Sequence, residues 1–371
     1  MSVLDMLPRI ESRALKYGYS NARIKAMKGL LLKPSFLDEL IKVGSVDAMI
    51  ELLQRTDYKI DLSAASFDYS GSELIETVAS QNFARTVQKV LRFTPEGDRH
   101  ALRALLVKWD LLNLKTIMHA KRLGRSYDDT KAYLFPVGGL SDDDFKRLLK
   151  ADEKTIFREI KRTKLGEQML STSTAHFSKR MWEKFRTALR SVDMFVQMET
   201  IIDAYLYLLM DKGLAEINDS ETNHIRNILK KEIDARNILI IERLKNQKTD
   251  PSKIRDSLIK GGTLKESFIT RLIDAKDFST VMNLIKNKFP SLDMANTKDT
   301  NNVSLVDLEI ALEKSLAIQK TSAFYRAVLS VGVVLGFLLL KEEEVNNLRK
   351  IAKGKEFGMS EEDVKNMLVI V

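Results

Sequence analysis

Apolar residues recur at three- and four-residue spacing through most of the chain, a period that predicts helices. The clearest stripe is Leu102, Leu105, Leu106, Trp109 and Leu112, inside a run from 98 to 123 that stops at Gly124. Further helices are predicted over 4–28, closed by Gly29 and Pro34, and over 73–93, closed by Thr94-Pro95-Glu96-Gly97. A long amphipathic run covers 177–211 and ends at Lys212-Gly213, and Asn218-Asp219-Ser220 opens another over 221–245. The stretch 305–340 reads as two helices, broken or closely packed at Gly332 and Gly336. No alternating strand pattern competes, so the expected class is all-α. The segments 57–71, 246–252 and 289–302 carry no strong period and are expected to be the least ordered.

Between the long helices a shorter pattern is written three times. Leu40-Ile41, Leu148-Leu149 and Leu272-Ile273 are followed nine residues later by Met49, Phe157 and Val281, and twelve later by Leu52, Ile160 and Leu284. Equal spacing around a short break implies three similar helical hairpins. Each has a capping signal upstream: Ser35 with Asp38, Ser141 with Asp144, Thr263 with Glu266.

A polar motif accompanies the hairpins. Asp110 and Asn113 are matched by Asp234 and Asn237 and by Glu344 and Asn347, while Tyr17, Asn21 and Arg23 form a degenerate early copy without the acid. Asn113 and Asn237 each lie 35 residues before their hairpin's Leu148 or Leu272, whereas Asn21 lies only 19 before Leu40. Positions i and i+3 share a helix face. Such a pair suits a ligand or ion site, or a polar staple between modules. Repetition in every module favours the staple, because a chain rarely needs several equal sites. The expected organisation is therefore three similar helical modules over 1–98, 99–220 and 221–371. Too little chain follows Glu344 for a module of its own, so the last helix, about 345–371, is expected to close onto the first.

Composition fits this reading. The 371 residues suggest two or three domains, and 6 Pro with 16 Gly leave room for long helices. There is no Cys, which excludes a disulfide framework and thiolate chemistry. The net charge of +9 could serve an acidic partner or anionic lipid, but bases and acids are mixed and no block of five or six like charges appears. The most apolar run, 327–340, has fourteen residues, short of the 20 or so that a membrane span needs, and so reads as a buried core helix. Residues 1–9 do not resemble a secretory signal, and a soluble protein is expected.

Catalytic chemistry finds little support. His100, His119, His176 and His224 are scattered, which gives no metal-ligand spacing. Gly138-Gly139 and Gly261-Gly262 precede helices but lack a following Gly-Lys-Ser/Thr, so they read as turns. Asp142, Asp143 and Asp144 suit the first turn of a helix without any cation. No catalytic residue, cofactor or metal is expected.

Tyr17 with Asn21-Ala22-Arg23, the run from Asp110 to Lys115, Val137-Gly138-Gly139, Lys341-Glu342-x-Glu344, Asn347-Leu348-Arg349 and Gly354-Lys355, in that order, resemble the C subunit of the archaeal-type rotary ATP synthase. The d subunit of the vacuolar proton pump is its relative. The resemblance runs from about 15 to 365, leaving 246–252 and 290–302 unmatched. It implies a funnel of three helical domains around a pseudo-threefold axis, on the cytoplasmic side of the membrane. It further implies two partners, the membrane rotor c-ring and the central shaft, and a non-catalytic coupling role with no membrane span and no small-molecule substrate. The rival reading is a basic all-α nucleic-acid-binding or scaffold protein, which requires Lys and Arg gathered on one face.

Overall fold

The computed structural model describes residues 3–152, 155–171, 220–289 and 305–369, with Leu292 and a few positions between 207 and 215. Among the described residues there are helices and no strands, so the fold is all-α. The expected run 177–211, His176 and most of 290–302 lie outside the described residues.

Three long helices carry the motif: α6 (Arg99–Arg122), α11 (Ser220–Asn246) and α16 (Val331–Glu356). The chain enters through α1 (Val3–Lys28) and forms the first hairpin from α2 (Pro34–Lys42) and α3 (Val46–Leu53). Then come α4 (Lys59–Ala65) and α5 (Gly71–Phe93), which leads into α6. The second hairpin is α8 (Asp142–Lys150) with α9 (Ile156–Lys161), preceded by the single turn α7 (Tyr127–Thr130) and followed by α10 (Lys164–Ser171). The third is α13 (Glu266–Asp274) with α14 (Phe278–Ile285), preceded by α12 (Pro251–Asp256). A last helical pair, α15 (Leu305–Arg326) and α16, is followed by α17 (Glu361–Met367).

Burial follows the hairpin pattern. Leu40, Leu148 and Leu272 are buried, as are Met49, Ile160 and Val281, while Leu52 and Leu284 are partly covered. The first hairpin shares its core with α4, the start of α5, and Leu348, Ile351, Val364 and Leu368 from the far end of the chain. The third hairpin packs on Ala235, Ile238 and Ile241 of α11 and on Leu308, Leu312 and Leu316 of α15. The second joins the largest core, around Trp109, whose ring lies 4.6 Å from Phe83 and 4.5 Å from Phe135. The apolar run is a core helix: Val331 to Leu339 are buried without a break.

Several local expectations change. Ser141 and Asp144 form the reciprocal capping box, but Ser35 does not cap α2, because Pro34 occupies the first turn and Lys33 the cap. Helix α13 starts at Glu266 with Lys265 at its cap, and the Thr263 hydroxyl donates instead to Asp234. The break between α15 and α16 falls at 327–330, where Leu329 takes φ of +47°, not at Gly332 or Gly336. Gly336 is a close-approach site: a Cβ there would lie 2.9 Å from the Phe324 Cα of α15. The segment 57–71 holds α4, tied down by Arg85 and Asn82 of α5, which donate to Asp57 and Asp61. Leu112 is the one member of the α6 stripe that is exposed, and it lines a cavity.

Candidate functional site: repeated clamps beside a cavity

Each motif asparagine grips the backbone of one residue. Asn113 Nδ2 donates to the Phe135 carbonyl at 2.6 Å, and its Oδ1 accepts from the Phe135 amide at 2.8 Å. Asn237 does the same to Ile259, both at 2.8 Å, and Asn347 to Val369 at 2.8 and 3.0 Å. The partner lies 22 residues ahead in all three cases. Asn21 grips Ser330 identically, both bonds at 3.1 Å, but across 309 residues.

The acids hold the loop that enters each hairpin. Asp110 accepts from the amides of Gly139 at 2.7 Å and Leu140 at 2.9 Å. Asp234 accepts from Thr263 at 2.9 Å and Leu264 at 3.2 Å. Glu344 accepts from the Leu32 amide and, at 2.7 Å, from the Tyr58 hydroxyl. Leu32, Leu140 and Leu264 each stand eight residues before Leu40, Leu148 and Leu272, so the three acids bind the same place relative to a hairpin. Two of them serve the segment that follows their own helix. Glu344 instead serves the hairpin formed by α2 and α3, more than 280 residues earlier in the chain.

Burial and bonding compete at these acids. Burial pushes Asp110 up to about 6 although the Gly139 and Leu140 amides favour its charged form. Asp234 is raised for the same reason, opposed by Thr263 and Leu264. The glycine pairs acquire a purpose here. A Cβ at Gly138 would sit 2.3 Å from Asp110 Oδ2, and one at Gly262 would sit 2.1 Å from Asp234 Oδ1. Backbone can approach a carboxylate this closely only without a side chain.

A lysine completes each clamp, at positions not anticipated from the sequence. Lys121 donates to the carbonyls of Leu149, at 2.8 Å, and Ala151. Lys245 donates to Leu272 at 3.1 Å, and Lys355 to Ile41, at 2.8 Å, and Val43. Each cation caps the last carbonyls of a hairpin's first helix, where the helix dipole also favours it. All three stand eight residues after the motif Asn, a spacing that was present in the sequence as a signal. The match continues beyond them. Eleven residues after the Asn, Gly124, Lys248 and Gly358 take φ of +65°, +55° and +64°, closing each helix in the left-handed conformation. Two residues further on, Ser126, Asp250 and Ser360 cap the next short helix.

Tyr17 and Arg23 take different roles. Tyr17 is buried in the core beside α5, with the Lys16 ammonium 4.8 Å from its ring centre. The Arg23 guanidinium lies 5.9 Å from the Phe93 ring centre.

The helices α6, α11 and α16 meet five residues before their motif Asn. There Lys108 lies 2.6 Å from Glu342 and 3.7 Å from Glu232. Lys320 of α15 adds pairs to Glu232 at 2.8 Å and Glu343 at 2.7 Å. Burial disfavours charge on Glu232, but Lys108 and Lys320 outweigh it and hold the carboxyl well below its ordinary range. Burial lowers Lys320 in turn, and Glu232 with Glu343 raises it well above the usual ammonium value. Beyond this contact the helices enclose a cavity of about 730 Å³, lined by Leu112, Arg236 and Asn346 next to the motif and by Arg243 and Lys353 further out. Among the described residues no cluster of three His, Asp or Glu side chains could hold a metal ion, and no helix is long and apolar enough to cross a membrane.

Fold and site together place the chain among all-helical proteins built on a repeated polar clamp beside a cavity. The family model described as ATP synthase (C/AC39) subunit matches residues 20–367, and the chain belongs to that family. It is 26% identical over 357 residues to the A-type ATP synthase C subunit of Methanococcoides burtonii, covering 95% of this chain and 94% of the relative. The A-type C subunit of Archaeoglobus fulgidus is 25% identical over 357 residues, covering 96% of each chain. The V-type ATP synthase C subunit of Deinococcus radiodurans is also 25% identical, over 94% of this chain and 90% of the relative. The family is a non-catalytic subunit of A-type and V-type rotary ATP synthases, membrane-associated machines of ATP synthesis and ion transport.

Proposed function

We propose that this chain is the rotor coupler of such a synthase. It sits peripherally on the cytoplasmic side of the membrane, seats the central shaft in its axial cavity and rests on the c-ring. Three helical units of about 1–98, 99–220 and 221–371 surround a pseudo-threefold axis, and the chain from 331 onward returns to complete the first. Tyr17, Asn21, Arg23 and the Asp/Glu–Asn pairs are structural in this reading: they fix each long helix to its hairpin so that the units move as one body. Torque transmission needs that stiffness, and close-packed interiors transmit strain.

The observation that carries the proposal is the cavity lined by the three motif helices α6, α11 and α16 together with α15. Its lining mixes bases with acids, and Arg349, Lys350 and Lys353 are paired with Glu76, Glu313 and Glu356 within the chain, which argues against nucleic acid as the partner. The test is recovery of the tagged chain from membranes. Shaft and ring should co-purify with it, and a single cysteine replacing Asn346, in a chain without native cysteines, should cross-link to the shaft. Recovery with nucleic acid and without ring or shaft would overturn it.

A further inference from the structure

The cavity wall changes character along the helices. Where the three motif helices touch, the acids Glu232, Glu342 and Glu343 are matched by Lys108 and Lys320. Toward the C-terminal ends of those helices the balance reverses: Lys115, Arg236, Arg243, Arg349, Lys350 and Lys353 line the wall against Glu76, Glu309 and Glu313. Some of these are paired, Arg349 with Glu76, Lys350 with Glu313 and Lys353 with Glu356. Pairing places the charge without removing the excess of base. The bases come from α6, α11 and α16, while α15 and α5 contribute the acids Glu309, Glu313 and Glu76, so bases outnumber acids there six to three.

The C-terminal ends of α6, α11 and α16 also lie at this end, each contributing a partial negative charge of roughly half a unit. That is too little to cancel the side chains. Of the bases in the last turns, Arg243 of α11 and Lys353 of α16 line the cavity, while Lys121, Lys245 and Lys355 are held on the hairpin carbonyls. Low-dielectric walls concentrate the resulting field inside the cavity.

We infer that the element seated in this socket presents a carboxylate-rich tip. It enters from the C-terminal ends of the three helices and stops at the Lys108–Glu232–Glu342 contact. A volume of about 730 Å³ accommodates roughly one to two turns of a helix 10–12 Å wide, so the recognised tip is short. The inference rests on the cavity being the seat of the shaft and adds the chemistry by which that seat selects its occupant.

The test uses the full-length chain and the purified shaft subunits of the same complex. Affinity is measured from 50 to 500 mM salt, and the complex is then treated with a carbodiimide, which joins amines directly to carboxylates. The wild type should bind with an affinity that falls at least tenfold over that range. Lys115 or Lys353 should become linked to Asp or Glu of the shaft. Arg243→Glu, at an exposed position, should keep the wild-type melting temperature, weaken binding at least tenfold at low salt and flatten the salt dependence. A complex that forms with salt-independent affinity and no carbodiimide link overturns the acidic tip while leaving the shaft reading intact. Failure of the wild-type chain to bind the shaft at any salt overturns both.

Discussion

Lys108 and Glu342 stand 234 residues apart in the chain and 2.6 Å apart in space, each five residues before its motif Asn. Glu232, at the same place on the third helix, completes the contact, so one repeat position carries two acids and a base that meet. A single residue type there would place three like charges together. The repeat has diverged at the point where identical copies would repel.

Lys320 makes this arrangement tolerable, since it is buried with carboxylates at 2.8 and 2.7 Å. Lys320→Met should lower unfolding stability by about 3–5 kcal/mol, because it strands buried carboxylates. Glu232, depressed by its lysines, contributes stability that is complete above the ordinary carboxylate range and is lost as pH falls through its lowered value. Urea denaturation from pH 7 down to 3 should show the wild type losing stability in acid, and Lys320→Met losing less of it.

Asp110 should behave in the opposite sense. With its folded pKa raised to about 6, its contribution is complete below about 4 and is lost as pH rises through 6. The wild type should therefore gain on Asp110→Asn by about 1–1.5 kcal/mol between pH 7.5 and pH 5. Paired urea titrations measure this, and an unchanged difference would refute the assignment.

Asn113→Ala, Asn237→Ala and Asn347→Ala should each cost about 1–3 kcal/mol, because each leaves one buried N–H and one C=O without a partner. Asn→Asp at the same sites sets a buried carboxylate against the carbonyl that Nδ2 served, so at neutral pH it should cost at least as much as alanine. Thermal melts of the six variants give the ranking.

Glycine replacements separate crowding from propensity. Gly138→Ala and Gly262→Ala drive a methyl into Asp110 and Asp234, and each should cost about 1–3 kcal/mol. Gly18→Ala, within α1 and with nothing nearby, should be neutral or stabilising by up to about 1 kcal/mol. Equal melting temperatures across the three would show that the carboxylates move freely.

Removing residues 360–371 takes away Val369, the partner of Asn347, and Val364, which packs on Gly354. It also removes the 3.1 Å pair between Lys365 and Asp38. Amides of α2 and α3 should then exchange faster, while those of α13 and α14 stay protected. Uniform loss of protection would mean that the two ends are not locally joined.

The helices and their repetition were legible in the sequence. Apolar spacing located the long helices and the hairpin register through Leu40, Leu148 and Leu272, because these signals act within a few turns of chain. Asp110, Asn113, Asp234, Asn237, Glu344 and Asn347 were marked as well, since a polar pair on an apolar helix is visible locally. What those residues hold was settled by packing alone. Thr263 could have capped its helix, but a buried carboxylate took its hydroxyl. Lys121, Lys245 and Lys355 look like ordinary surface bases until the hairpin carbonyls arrive from up to 314 residues away. Glu344 finds Leu32 and Tyr58, and Lys108 finds Glu232 and Glu342, only once both ends of the chain and all three helices have packed. A hydrogen bond or ion pair is a short-range interaction, so its partner is set by the folded path of the chain and not by proximity in sequence.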